Sequence, residues 1–171
     1  MLEGVFMDSN SLREATRVAL KATHSNGKDA PLTRQSQRQT RASAITTLER
    51  TVFQKINQYR KQQGLAALSR NSTITTQARK HSQNMANIRQ LSHNGFDGRV
   101  QVIGKTIRWQ GAAENVAYNA GFSNPAVQAV NGWLKSPGHL QNIVGNFNLT
   151  GIGAAQNSRG EYYFTQIFIR R

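Results

Sequence analysis

The chain predicts an α+β domain with its helices first and its strands last. Apolar residues recur at helical spacing through Leu48, Val52, Phe53, Ile56 and Tyr59, and again through Ile74, Ala78, Met85 and Ile88. The C-terminal end changes period: Gly151–Ala155 and Tyr162–Ile169 are β-rich runs joined by Asn157-Ser158-Arg159-Gly160, which reads as a hairpin. With 171 residues, 37% of them apolar and no internal repeat, the chain fits one core plus a tail.

Taken in order, the elements divide the chain near Thr47. Residues 1–47 are polar, and Pro31–Ala44 (Thr-Arg-Gln-Ser-Gln-Arg-Gln-Thr-Arg at its centre) offers almost nothing to bury, so a disordered basic tail is expected there. A marginal helix over Ser11–Thr23 is the one exception. The domain is expected over residues 48–171. Its first helix stops at Gly64, and a second begins after a cap in Ser69-Arg70-Asn71, carries Arg79, Lys80 and Arg89 mostly on its polar side, and ends shortly before His93. Four glycines (Gly95, Gly98, Gly104, Gly111) punctuate the stretch from Asn94 to Ala113. A structureless loop of about twenty residues is rare in a compact domain, so a short helix, a short strand or a functional segment is expected there. Asn124-Pro125 opens a further helix with Val127, Val130 and Leu134 on its apolar side, and Ser136-Pro137 repeats the signature.

Composition excludes several classes of site. There is no cysteine, so neither a disulfide framework nor a thiolate site exists, and any metal must be held by histidine, carboxylate, hydroxyl or backbone oxygen. The first thirty residues hold no continuous apolar run of signal-peptide type, and no later stretch approaches membrane-spanning length. The formal net charge of +14 attracts anionic partners without saying which. Between Leu48 and Arg171 only Glu49, Asp97, Glu114 and Glu161 oppose fifteen Lys and Arg, so a carboxylate such as Glu114 has to be accounted for.

The candidate functional residues are His93 in Leu-Ser-His-Asn, Glu114 in Ala-Glu-Asn-Val-Ala, and His139 in Ser-Pro-Gly-His-Leu-Gln-Asn-Ile. With Ser136 as cap and Pro137 at the first helical position, His139 falls in the first turn, where the positive helix end disfavours imidazolium and keeps a nitrogen lone pair free. A purely structural reading is also open: His93 as a helix-end cap, His139 as an orienter of the loop after Trp133, Glu114 as a buried acceptor for backbone amides. His81 reads as helix surface or a satisfied core histidine, His24 as tail, and Trp133 and Tyr118 as packing residues.

His93-Asn94, Glu114-Asn115-Val116-Ala117, Gly132-Trp133-Leu134-Lys135-Ser136-Pro137-Gly138-His139, Thr150-Gly151-Ile152-Gly153 and the closing Tyr163–Phe168, as an ordered set, resemble the CAP superfamily (cysteine-rich secretory proteins, antigen 5 and pathogenesis-related 1 proteins; the SCP domain), in its compact bacterial branch. The resemblance covers Leu48–Arg171. It implies an α-β-α sandwich around a central antiparallel sheet, with a shallow cleft lined by two His and two Glu. His93, Glu114 and His139 take three of those places. The second Glu has no counterpart, and Ser136 stands closest to its position.

The resemblance implies an extracellular or periplasmic binding protein, with a lipid, sterol or glycan ligand, or Zn or another divalent metal on His93 and His139. Two further readings compete with it. One is a metal-assisted hydrolase of peptides or cell-wall material with Glu114 as general base. The other is an anionic-polymer or nucleic-acid binder acting through positive charge; sequence-specific nucleic-acid binding is not expected, because the bases are dispersed and no recognition motif is present.

Overall fold

The computed structural model describes residues 33–171. The expected marginal helix over Ser11–Thr23 and the tail position of His24 lie outside the described residues. Helix α1 runs Arg34–Gln62, followed by β1 (Ser69–Arg70), α2 (Ser72–Ile88), α3 (Phe96–Gly104), β2 (Gly111–Asn119), α4 (Pro125–Lys135), α5 (Pro137–Val144), β3 (Leu149–Gln156) and β4 (Tyr162–Arg170). The strands form one sheet in the order β1-β3-β4-β2, antiparallel except for the short parallel pairing of β1 with β3.

Alternation along β4 assigns the two faces of that sheet. Phe164 and Phe168 pack with Val52 and Ile56 of α1, Ala129 and Trp133 of α4, and Ile143 of α5. Ile167 and Ile169 instead join Ile74 and Ala78 of α2 and Ile103 of α3, while Tyr163 joins Met85 and Ala86 of α2. The result is an α-β-α sandwich: α1, α4 and α5 cover one face, α2 and α3 the other. The fold class read from sequence is the one observed.

Helix α2 follows the sequence signals closely. Asn71 caps it, its Oδ1 accepting from the Ile74 amide at 3.1 Å. Ile74, Ala78 and Met85 are fully buried, whereas Ile88, expected on the same apolar side, is 55% exposed. The helix lies so close to β3 that only glycine fits beneath it at two positions. A Cβ on Gly151 would run into the backbone of Ile74 and Thr75, and one on Gly153 into the backbone of Ala78 and Arg79. Ser82 Oγ completes the contact by donating to the Gly153 carbonyl at 3.0 Å.

One expectation needs correction and two are refined. Residues 34–47, read as disordered, form the first turns of α1. Arg, Gln and Ala are good helix formers, and Ile45 and Leu48 already pack on the core, so a polar composition was a poor guide. The cap expected within Ser69-Arg70-Asn71 is Asn71, and the two residues before it form strand β1: the Ser69 amide bonds the Asn148 carbonyl and the Asn71 amide the Thr150 carbonyl. Strand β2 falls on a Gly/Ala-rich stretch whose own β propensity is low; nine registered partners on β4 impose the strand.

Both margins of the sheet are closed by side chains, as exposed edges require. On the β3 side, where two-residue β1 covers only one end, Glu49 of α1 is fully buried. Its Oε1 accepts from the Ala154 amide at 3.3 Å and from Arg79 Nε at 2.7 Å, which links α1 to α2 across the sheet margin. On the β2 side, Trp133 Nε1 donates to the Val116 carbonyl at 2.9 Å and Asn142 Nδ2 to the Glu114 carbonyl at 3.4 Å. Arg60, buried and with its pKa lowered by desolvation, spans the turn after α5 by donating to the carbonyls of Ile143, Gly145 and Phe147.

Candidate functional site

Edge strand β2 organises the site because consecutive residues point to opposite faces. Glu114 faces α2 and α3; Asn115 faces α4 and α5. Asn115 Nδ2 donates to the His139 carbonyl at 3.1 Å, and Asn142 Nδ2 donates to Asn115 Oδ1 at 2.9 Å, so the first turn of α5 is tied to the strand beside Glu114. His93 and Glu114 thus come from one face and His139 from the other.

Glu114 is buried, and both of its oxygens are engaged. Arg99 approaches it as a fork, Nε to Oε2 at 2.9 Å and Nη2 to Oε1 at 2.8 Å, while His93 Nδ1 lies 3.0 Å from Oε1. A carboxylate oxygen accepts, so Nδ1 of His93 is the donor, and the neutral ring then carries its lone pair on Nε2. The His93 side chain is 54% exposed, which leaves that nitrogen open to ligand. The reading of Glu114 as an acceptor for backbone amides does not hold: its oxygens take a guanidinium and an imidazole.

The loop before α3 makes the fork possible. Gly95 adopts φ 76° at the start of α3, a left-handed conformation that glycine accepts without strain, and the Phe96 amide bonds the His93 carbonyl at 3.1 Å. Arg99, one turn into α3, can therefore donate Nη1 to the Asn94 carbonyl at 2.8 Å as well as reach Glu114. Arg99 was not singled out by sequence. The available signal was the surplus of arginine, which makes a guanidinium the natural partner of any buried carboxylate.

His81 completes this side. It is buried, and its Nε2 donates to the Ser92 carbonyl at 2.7 Å, which makes it a satisfied interior histidine that also fixes the residue before His93. Desolvation holds its pKa below the ordinary imidazole range. The Ser92 carbonyl and Glu114 oppose that shift, and Arg99 and His93 reinforce it.

His139 sits in the first turn of α5, and its pKa is lowered, first by burial and then by the nearby charge of His93. Ser136 occupies the cap position with φ −105° and ψ 115°, but its hydroxyl does not cap the backbone; it lies 2.8 Å from His139 Nδ1. A hydroxyl can donate or accept, so this contact permits either tautomer, and only the one with hydrogen on Nδ1 frees Nε2 as a ligand. Trp133 is 2% exposed, a packing residue as read. Tyr118 is 44% exposed and leans on Tyr163 with ring centroids 5.2 Å apart, so it packs only in part.

Among the described residues, no three His, Asp or Glu side chains converge on one point as a metal cage would require. No helix among them is long and apolar enough to cross a membrane.

With this geometry in place, the sequence profile of the cysteine-rich secretory protein family, CAP, matches residues 53–168. The chain belongs to the CAP family. It is 32% identical over 135 residues to the uncharacterised protein YkwD of Bacillus subtilis, a match covering 74% of this chain and 49% of that protein. The chain therefore spans about half the length of that relative. Among solved structures it resembles an extracellular protein containing an SCP domain from Bacillus anthracis, with TM-score 0.63 and 29% identity over 84% of this chain and 45% of the other. An outer surface protein of Borrelia burgdorferi shares the fold, with TM-score 0.64 and 20% identity over 73% of this chain and 93% of that one. All three are bacterial proteins, and the profile spans the stretch of this chain that carries His93, Glu114, Ser136 and His139.

Buried His81 and half-buried His139 make a prediction about pH. Unfolded histidines protonate near pH ~6.5, whereas in the folded CAP domain His81 and His139 take up protons only at lower pH. Below neutrality the unfolded state therefore binds more protons, and stability falls as pH drops through the histidine range. Thermal melts should shift downward between about pH 7.5 and about pH 5.5. His81→Gln, which keeps a donor for the Ser92 carbonyl, should flatten that dependence; an unchanged slope would remove His81 as its source.

Proposed function

We propose that the chain acts outside the cytoplasm as a non-catalytic CAP-domain binding protein, and that its cleft holds one divalent cation, Zn²⁺ being well matched, between Nε2 of His93 and Nε2 of His139. The observation that carries the reading is the fixed His93–Glu114 contact. A carboxylate holding one ring nitrogen orients the other toward a metal, as it does for most metal-binding histidines. Two imidazoles fit a weakly held ion whose other positions fall to water or to an oxygen of a lipid, sterol or glycan ligand. The extracellular setting rests on the relatives.

Hydrolysis ranks behind binding because Glu114 is poorly placed to serve as general base. Both its oxygens are engaged, one by His93 and both by the Arg99 fork, and the second Glu of the family pattern has no counterpart in this chain, Ser136 standing closest to its position. Calorimetry with Zn²⁺ on the full chain should give one site per chain, weakened at least roughly tenfold by His139→Ala and by acidification through the histidine range, since protons compete for the same nitrogens. Glu114→Gln should also weaken it. Ser136→Glu should tighten it roughly tenfold, because a carboxylate only accepts and would hold the hydrogen on Nδ1 of His139. Absence of zinc heat in the wild-type chain would refute the metal reading.

A further inference from the structure

A concave surface lies away from the His93–Glu114 site, where the N-terminal half of α1, the C-terminal half of α2 and the β3–β4 hairpin meet. Two hollows run together there, sharing Arg41, Gln83 and Gln156 as common walls. Arg38 lines the α1 end; Arg89 and Arg159 line the hairpin end. The larger hollow encloses about 680 Å³, room for more than one small charged group. No acid lines either of them.

The charges in this trough are not all equivalent. Arg79 also contributes to its wall, but its guanidinium is committed to Glu49. Arg41 donates to the Gln156 carbonyl, which holds it in place without neutralising it. Arg38, Arg89 and Arg159 have no carboxylate within ion-pair distance among the described residues. Glu161 lines a neighbouring hollow with Arg89 and Arg159 but hydrogen-bonds Asn157 and Tyr118 rather than either guanidinium. Four uncompensated guanidiniums thus follow one track, and a guanidinium fork matches phosphate oxygens two at a time.

The groups between the arginines narrow the chemistry. Gln83 and Gln156 in the shared wall, with Asn87 and Ser158, offer donors and acceptors suited to hydroxyl groups. No aromatic ring lines either hollow, and the nearest, Tyr118 and Tyr163, line a neighbouring one beside Arg89 and Arg159, so the trough itself offers no platform for stacking a nucleobase. We infer that this trough binds a linear phosphodiester polymer whose repeat units carry hydroxyl groups, with phosphates on Arg38, Arg41, Arg89 and Arg159 and hydroxyls on the intervening amides.

A glycerol-phosphate oligomer with six phosphates is a suitable probe for the full-length protein, measured by calorimetry at physiological salt, where nonspecific attraction is screened beyond roughly 8 Å. Saturable binding is expected. Arg89→Gln with Arg159→Gln should weaken it at least tenfold, while the control pair Arg108→Gln with Lys135→Gln, exposed residues outside the trough, should change it less than twofold. In NMR titration the Arg Nε–Hε signals of Arg89 and Arg159 should shift. Equal weakening by both pairs would show attraction to net charge alone and overturn the site. A thymidine oligomer with the same number of phosphates should bind more weakly; equal or tighter binding would overturn the assignment of a hydroxyl-bearing polymer. All four substituted residues are exposed, so melts of the variants should match the wild type. A lost fold in the trough variant would refute the view that these arginines are free.

Discussion

Gly153→Ala is expected to destabilise the domain by at least about 3 kcal/mol, and Gly151→Ala by a comparable amount, the upper part of the range for overpacking or beyond it. Most small-to-large changes meet a side chain that can rotate away. Here the added methyl would meet backbone, that of Ala78 and Arg79 above Gly153 and that of Ile74 and Thr75 above Gly151. Relief requires lifting α2 off β3. That motion would loosen Ile74 and Ala78 against Ile167, break the bond from Ser82 Oγ to the Gly153 carbonyl, and pull Arg79 from Glu49. Chemical denaturation of the two variants beside Gly138→Ala, where an added Cβ meets nothing within 4 Å, provides the measurement. If Gly153→Ala cost less than about 1 kcal/mol, the close seat of α2 on the sheet would be wrong.

These glycines show what kind of information the sequence carries. Thr150-Gly151-Ile152-Gly153 is visible as a motif, but the reason for its two glycines is the approach of a helix some seventy residues earlier in the chain, which no local pattern reports. The α+β order was legible because periodicity in α1, α2 and β4 is local. Strand β2 was not, since Gly111-Ala112-Ala113 owes its extension to pairing with β4 rather than to its own residues. The first turns of α1 were missed for the opposite reason: intrinsic propensity favoured a helix where composition suggested a tail.

The candidate site divides in the same way. His93, Glu114, Ser136 and His139 stand in short motifs and could be named at once. Their partners could not. Arg99 lies fifteen residues from Glu114 and reaches it only because Gly95 turns the chain back on itself. Asn115 and Asn142 matter because a strand alternates its faces and a helix end lies beside it, a relation that exists only once the sheet has formed. What the sequence withheld was therefore the support of the site, and with it the chemistry open to Glu114.

Arg99→Ala is expected to cost about 3–5 kcal/mol, because it leaves the Glu114 carboxylate buried without its guanidinium. The Glu114 side chain is 2% exposed and that of Arg99 10%, so water cannot easily replace the lost donors. His93, half exposed, and His81, with its side chain 4.0 Å away on Nε2 and already committed to the Ser92 carbonyl, are the groups left to answer the charge. Glu114→Gln should cost less, since Arg99 retains the carbonyls of Asn94 and His93 and lies nearer to solvent. Arg99→Lys should fall between, keeping the charge but losing the two-pronged contact. Joining Arg99→Ala to Glu114→Gln supplies the decisive comparison. If the penalty of Arg99→Ala comes from an orphaned carboxylate, the double variant should recover a substantial part of it, and the coupling should exceed about 1 kcal/mol. Strict additivity would mean that Arg99 acts through packing of α3 alone. Glu114 would then not depend on it for its charge, and the case against Glu114 as a free base would fall with it.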